Sequence, residues 1–208
     1  MSQTSFDIQQ AAVIGAGTMG RGIVMCLANA GVTVQWVDNN PQMLEQALAT
    51  VADTYAHNVR QGRIDQAEAD ARIARVSAAA DYAAIRNVDL VIEAVYENLE
   101  LKQKIFRELD GLLKPEALLA SNTSALDIDA IAAATKRPEQ VLGLHFFSPA
   151  HIMKLLEIVR GAQTSPAALD AALALGKRMG KVSVVSGNCH GFIGNRMLHP
   201  YVLEARKM

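Results

Sequence analysis

Gly15, Gly17 and Gly20 punctuate the stretch Gly15-Ala16-Gly17-Thr18-Met19-Gly20, and Asp38 follows 23 positions after Gly15. An apolar run precedes these glycines, a helical segment follows, and a second apolar run ends at the acid. That arrangement seats a dinucleotide. Gly15 permits the tight turn, Gly17 lets backbone N–H groups approach a pyrophosphate, and Gly20 lets the helix sit close to the strand. The free N–H groups and positive dipole end of the helix then face the phosphates. Asp38 suits the adenosine ribose hydroxyls, and it would also serve as a helix N-cap before Pro41. Two unit charges ~4 Å apart repel by ~1 kcal/mol in water and ~4 kcal/mol at an effective dielectric of 20. No Arg or Lys stands in Asn39-Asn40-Pro41 to offset a 2′-phosphate, so NAD is expected over NADP.

His145 lies near the end of the apolar run 141–147. Open α/β sheets place ligands at strand C-termini, and an imidazole with a reference pKa of ~6.5 suits a general base. The competing reading is a core histidine satisfied by hydrogen bonds. Glu157 interrupts the apolar run 155–159. A carboxylate is almost never fully buried without a partner, so Glu157 is either paired inside or set on an exposed edge.

Positioning these groups requires a sheet. Residues 11–14, 33–37, 90–95, 118–120, 141–146 and 182–185 form short apolar runs with the character of strands. Between them, Met43, Leu44, Ala47, Leu48, Val51 and Tyr55 recur at helical spacing, as do Leu101, Ile105, Leu109 and Leu112. Alternating strands and helices predict an α/β fold, doubly wound around a mostly parallel sheet. Residues 60–75 are polar and predict a helical excursion over the surface. Gly31 suits the left-handed position after the first helix, and Pro41 the start of the next. Lys114-Pro115 ends the helix that begins at Leu99, and a further helix spans 166–179. Ser186-Gly187-Asn188 marks a boundary, after which 192–207 predicts one last helix. The glycines of 187–194 suggest a hinge before it.

The chain has 208 residues, 20 basic and 21 acidic, with a net charge of −1. Such balance excludes nucleic acid as an expected ligand. No apolar run approaches the ~18 residues of a membrane span. Met1 to Gln10 carry no secretory pattern, which leaves the cytoplasm or an organelle lumen, and a cytoplasmic setting is expected. Cys26 and Cys189 have neither disulfide-framework nor zinc spacing, and His57, His151, His190 and His199 show no metal-ligand pattern.

The chain further carries Ser121-Asn122-Thr123-Ser124, His145-Phe146-Phe147-Ser148-Pro149, Leu156-Glu157-Ile158-Val159 and Gly191-Phe192-Ile193-Gly194-Asn195-Arg196. With the glycine turn, these resemble the NAD-binding domain of the L-3-hydroxyacyl-CoA dehydrogenases of fatty-acid β-oxidation. The likeness is strongest to the dehydrogenase part of bifunctional and multifunctional enzymes, and it runs from about residue 8 to the end. It implies a Rossmann-type domain over 8–187. Residues 188–208 would then be a hinge and the truncated start of an all-helical C-terminal domain, whose first helix alone is present.

The same resemblance implies the reaction (S)-3-hydroxyacyl-CoA plus NAD to 3-oxoacyl-CoA plus NADH. His145 would be the base, paired with Glu157 as its orienter. Ser124 would bond substrate oxygen and cofactor together, and Asn195 would hold the acyl oxygen. Residues 15–20, Asp38, Glu97, Lys102, Ser124 and Ser148 would contact NAD. Single-function members usually have Asn where Ser148 stands, and serine resembles the multifunctional branch. Arg60 and Arg63, with Ser124, would meet coenzyme A. The blander readings are a helix cap for Ser124 and an interdomain hydrogen bond for Asn195. For Glu97 and Lys102 it is an exposed pair at a helix start, and for Arg60 and Arg63 a solvated helix face. A related dehydrogenase of a free hydroxy acid, or a non-catalytic crystallin-like member of the fold, would carry much of the same pattern. The terminal helix, with Phe192, Ile193, Met197, Leu198, Val202 and Leu203, is expected to dock on a second copy in a homodimer or helix exchange, fray, or fold back. The expected partners are thus an acyl-CoA and a second copy of the chain, with no nucleic acid and no membrane.

Overall fold

The computed structural model describes residues 7–207; the first six of the polar N-terminal residues lie outside them. Eight strands form one sheet in the order β3-β2-β1-β4-β5-β6-β7-β8. They are β1 (Gln10–Ile14), β2 (Thr33–Val37), β3 (Val76–Ala78), β4 (Leu90–Glu93), β5 (Leu118–Ser121), β6 (Val141–Phe146), β7 (Leu155–Arg160) and β8 (Val182–Gly187). Every neighbouring pair is parallel except β6 and β7. The strand order reverses outward from β1 and β4, which opens a crevice at their C-terminal ends.

Helices α1 (Thr18–Asn29), α2 (Pro41–Arg60), α3 (Gln66–Ala74), α4 (Leu99–Leu112), α5 (Ile128–Ala132), α6 (Pro166–Arg178) and α7 (Gly194–Ala205) complete the described chain. Side chains alternate across the sheet. Leu90, Ile92, Leu118, Leu142 and Ile158 pack with α1, α2 and α6 on one face. Val91, Leu119, Val141 and Val159 pack with α4 and α5 on the other.

Two strands were not anticipated. β3 has three residues, too few for a pattern to show. β7 carries Glu157 within its buried stretch, and its role as a strand follows from the antiparallel turn back beside β6. Strand β4 ends at Glu93 rather than at residue 95, while β8 continues to Gly187. Gly31 takes its left-handed φ of 78° after α1.

The last helix begins at Gly194, two residues later than expected. Phe192 stands before it at φ 50° and is buried against the sheet. The segment before α7 is tied to α5 at its start. Asn188 Oδ1 accepts the Ile128 N–H, and its amide donates to Asp127 and Asp129 at 2.6 and 2.8 Å. Helix α7 itself buries no residue, and Met197 and Tyr201 are 72% and 73% exposed. It does not fold back onto the sheet.

Candidate active site

The glycine turn joins β1 to α1. A Cβ on Gly15 would lie 2.6 Å from the Ala94 carbonyl oxygen, and one on Gly20 would lie 1.9 Å from the Gly15 carbonyl oxygen. Both positions therefore exclude side chains. Gly17 differs: nothing lies within 4 Å of the space its Cβ would take. It is the N-cap of α1, with no capping side chain and no acid in the first turn, so the helix donors are left for a ligand. The turn is braced by Trp36, whose indole N–H donates to the Gly15 carbonyl at 2.9 Å.

Asp38 follows β2 and grips the same turn. Its Oδ2 accepts the Ala16 N–H at 2.6 Å and its Oδ1 the Asn40 N–H at 2.8 Å. It is not the N-cap of α2. Asn40 caps that helix, accepting from the N–H groups of Gln42 and Met43. A cleft of about 750 Å³ opens here, lined by residues 15–19, Asp38, Tyr82, Val95 and Lys104 among others. Burial and the neighbouring Glu108 push the Tyr82 phenol up to about 12, so it faces the cleft as a neutral hydroxyl. Sequence reasoning missed Tyr82 and Lys104, because nothing local marks a side chain that reaches a cleft across the sheet edge. The bare helix end, the open space at Gly17 and the acid beside the turn fit the pyrophosphate and ribose of a dinucleotide.

At the same sheet edge, His145 of β6 stands opposite Glu157 of β7 in the antiparallel register. Residues so opposed share a face, and His145 Nδ1 lies 2.7 Å from Glu157 Oε2. Both are buried, 5% and 1% exposed. The other carboxylate oxygen, Oε1, accepts the N–H groups of Ile193 and Gly194 at 3.0 and 2.8 Å. Glu157 is thus held at the positive end of α7. A carboxylate accepts and does not donate, so Nδ1 carries a proton, and in the neutral tautomer Nε2 is the nitrogen left to accept. The imidazole packs between Phe147 and Phe192, with ring centroids 4.5 and 5.7 Å away. The exposed-edge reading of Glu157 gives way to a buried pair, and His145 is a buried, hydrogen-bonded imidazole, as the core-histidine reading also describes.

Ser124 and Asn195 also come together: the Asn195 amide donates to the Ser124 carbonyl at 3.2 Å. Ser124 caps no helix, since Asp127 is the N-cap of α5. Its N–H and hydroxyl donate to Glu97 Oε1 at 2.8 and 3.1 Å, and the Thr123 hydroxyl joins them at 2.6 Å. Burial pushes the Glu97 carboxyl up, but these donors and the nearby Lys102 ammonium outweigh it and hold the group below the usual carboxylate range. Lys102 is not the exposed residue of a helix-start pair. It is 1% exposed, with its ammonium 2.7 Å from Glu93 and 3.5 Å from Glu97.

Ser148 is exposed in the turn after β6 and lines no part of the cleft. Arg60, the last residue of α2, and Arg63, three residues past it, are exposed. Tyr55 donates to Asn29, the last residue of α1, so this end of α2 lies at the opposite sheet edge, about 30 Å of helix from Pro41. The structure does not bring these arginines to His145.

Residues 10–189 match the family model described as 3-hydroxyacyl-CoA dehydrogenase, NAD binding domain. The chain is 50% identical over 206 residues to a peroxisomal bifunctional enzyme of Danio rerio, covering 96% of this chain and 27% of that protein. It is 38% identical over 199 residues to a fatty acid oxidation complex subunit alpha of Pseudomonas putida, covering 96% of this chain and 28% of the relative. The crystal structure of 3-hydroxybutyryl-CoA dehydrogenase from Escherichia coli K12 superposes with a TM-score of 0.94 at 38% identity, over 96% of this chain and 42% of that one. The chain therefore spans little more than a quarter of the length of the curated relatives it matches.

Proposed function

The chain belongs to the 3-hydroxyacyl-CoA dehydrogenase family, in its NAD-binding domain, and from that premise we propose that it oxidises (S)-3-hydroxyacyl-CoA to the 3-oxoacyl thioester. Residues 15–20 and Asp38 would hold NAD, which when bound would supply the acceptor for the hydride of C3. The observation that carries the reading is the buried His145–Glu157 pair, whose second carboxylate oxygen is already occupied by α7. His145 Nε2 takes the proton of the 3-hydroxyl. Glu157 fixes the tautomer and stabilises the imidazolium that forms. Ser124 and Asn195 hold the substrate oxygens so that C3 meets the cofactor within about 3–3.5 Å.

Residues 15–20 belong to the cofactor side of this proposal, and Ser148, outside the cleft, is placed there by the family resemblance alone. Arg60 and Arg63, remote from His145, are assigned no more than the phosphate end of coenzyme A. Reversing both charges should then raise the acyl-CoA KM and leave NAD affinity alone. Residues 188–208 would start a second, helical unit. No helix among the described residues is long and apolar enough to cross a membrane. The cytoplasmic setting is part of the proposal, to be decided by fractionation, since the relatives include one named peroxisomal.

The test is NADH formation by the chain from (S)- and (R)-3-hydroxybutyryl-CoA and from free 3-hydroxybutyrate. Turnover confined to the (S)-thioester is expected. Equal use of the free acid would sink the assignment to thioesters.

A further inference from the structure

The connection between β6 and β7 runs from Phe147 to Lys154 and joins the strand of His145 to that of Glu157. It turns at Pro149, whose carbonyl accepts the N–H groups of Ile152 and Met153 at 3.0 and 2.9 Å. Ala150 is 0% exposed and sits on Gly22 of α1, where a Cβ would lie 2.8 Å from the Ala150 Cβ. The Ala150 carbonyl accepts the Cys26 thiol of α1 at 3.3 Å and also the Lys181 ammonium. The same ammonium donates to the Met153 carbonyl at 2.7 Å and stands 5.8 Å from the centre of the Phe146 ring. Lys181 immediately precedes β8, whose first N–H, from Val182, donates to the Lys154 carbonyl at 2.8 Å.

Lys181 thus directs its charge at two main-chain carbonyls of one connection. A charged donor makes such bonds stronger than neutral ones. The seat they hold lies on the helix that starts at the glycine turn, with Gly22 about one turn past Thr18. At the other end of the connection, Phe147 packs on the His145 imidazole, with ring centroids 4.5 Å apart. The connection therefore reaches from the cofactor helix to the imidazole, and Lys181 fastens it from the side of β8.

We propose that Lys181 is a positioning residue: it seats the 147–154 connection on α1 and, through Phe147, sets where His145 stands relative to the glycine turn. Its effect on turnover rests on the dehydrogenase reading above. Lys181 does not line the cofactor cleft, and it acts on the reaction through the connection.

The test compares Lys181→Met with Gly22→Ala. The methionine keeps the apolar stem and removes the donor. The alanine pushes the connection from the opposite side and leaves Lys181 in place. The readouts are the NMR resonances of the His145 ring protons, NADH affinity by calorimetry, and kcat and KM for (S)-3-hydroxybutyryl-CoA well below Tm. Both variants should shift the His145 resonances, because the Phe147 ring moves over them, and both should lower kcat about tenfold or more. In Lys181→Met the NADH affinity and acyl-CoA KM should stay within about threefold of the parent. A loss of about tenfold in either of these would mark direct contact with a ligand and overturn the proposal. So would parent-like resonances and kcat in Lys181→Met at a lowered Tm, which is what a merely structural lysine gives, or parent-like resonances and kcat in Gly22→Ala. Should one variant fail to fold, the other decides. A parent chain that binds NADH but oxidises no 3-hydroxyacyl-CoA would overturn the proposed function alone, and the His145 resonances then judge Lys181.

Discussion

Replacing Glu157 by glutamine should leave a folded protein that has lost its base. All three partners of this carboxylate face it as donors: His145 Nδ1 at 2.7 Å, and the N–H groups of Ile193 and Gly194 at 3.0 and 2.8 Å. A carboxylate can accept from all three, whereas an amide has one accepting end. Pointing its NH2 at α7 would leave two enclosed donors unpaired, at about 1–3 kcal/mol each. Pointing it at His145 keeps the N–H groups of Ile193 and Gly194 paired and gives one amide N–H to the imidazole, provided that Nδ1 becomes the acceptor and Nε2 takes the proton. The second arrangement is therefore the lower in energy, and it presents the substrate with a donor where a base is needed. The expected result is a kcat for hydroxyacyl oxidation lower by ~10²–10⁴, with NAD affinity kept and Tm lowered by no more than a few degrees. Raising the pH should not restore the rate, because the defect is in the tautomer. Steady-state turnover across pH, beside calorimetric NAD binding and thermal melts, checks this. A Gln variant whose kcat stays within about fivefold of the parent, or recovers with rising pH, would refute the reasoning.

Asp38→Ala should narrow the preference for NAD over NADP, measured by calorimetry with both cofactors. Lys104 lines the same cleft, but Glu108 lines it too, so Asp38 remains the charge that rejects a 2′-phosphate, and an unchanged ratio would tell against it. The Asn188 amide, a little offset by burial, and the N–H groups of Ala130 and Asp129 hold the Asp127 carboxyl below its ordinary value. Its folded pKa is thus depressed, so the stability it contributes is present above the unfolded value and lost as pH falls through the folded one. Thermal melts from neutral to acid pH should show a loss that Asp127→Asn lacks; parallel profiles would dismiss the Asn188 latch. Helix α7 leaves Met197, Leu198, Tyr201 and Leu203 exposed, an apolar strip expected to drive concentration-dependent self-association by sedimentation. Leu198→Glu should abolish it, and a strictly monomeric parent would contradict it.

The glycine turn and Asp38 were legible because their chemistry is local: a turn, a helix end and an acid at a set distance along the chain. His145 and Glu157 were legible as unusual residues in apolar runs, but their partnership came from family resemblance. Spacing alone could not supply it, because their contact depends on β7 running antiparallel beside β6. Glu93 was missed although the same signal marked it, a carboxylate inside the apolar run 90–95, with Lys102 nine positions on. The tie before α7 was hidden for a different reason. Three glycines suggest freedom, and the side chain that ties the start of the segment, Asn188, acts across about sixty residues on α5.

The most direct test of the account is the rate of (S)-3-hydroxybutyryl-CoA oxidation by His145→Gln relative to its parent, with NADH affinity measured on both. The account predicts a rate lower by ~10²–10⁴ at unchanged affinity. Near-parent turnover in the variant would contradict the assignment of His145 as the base.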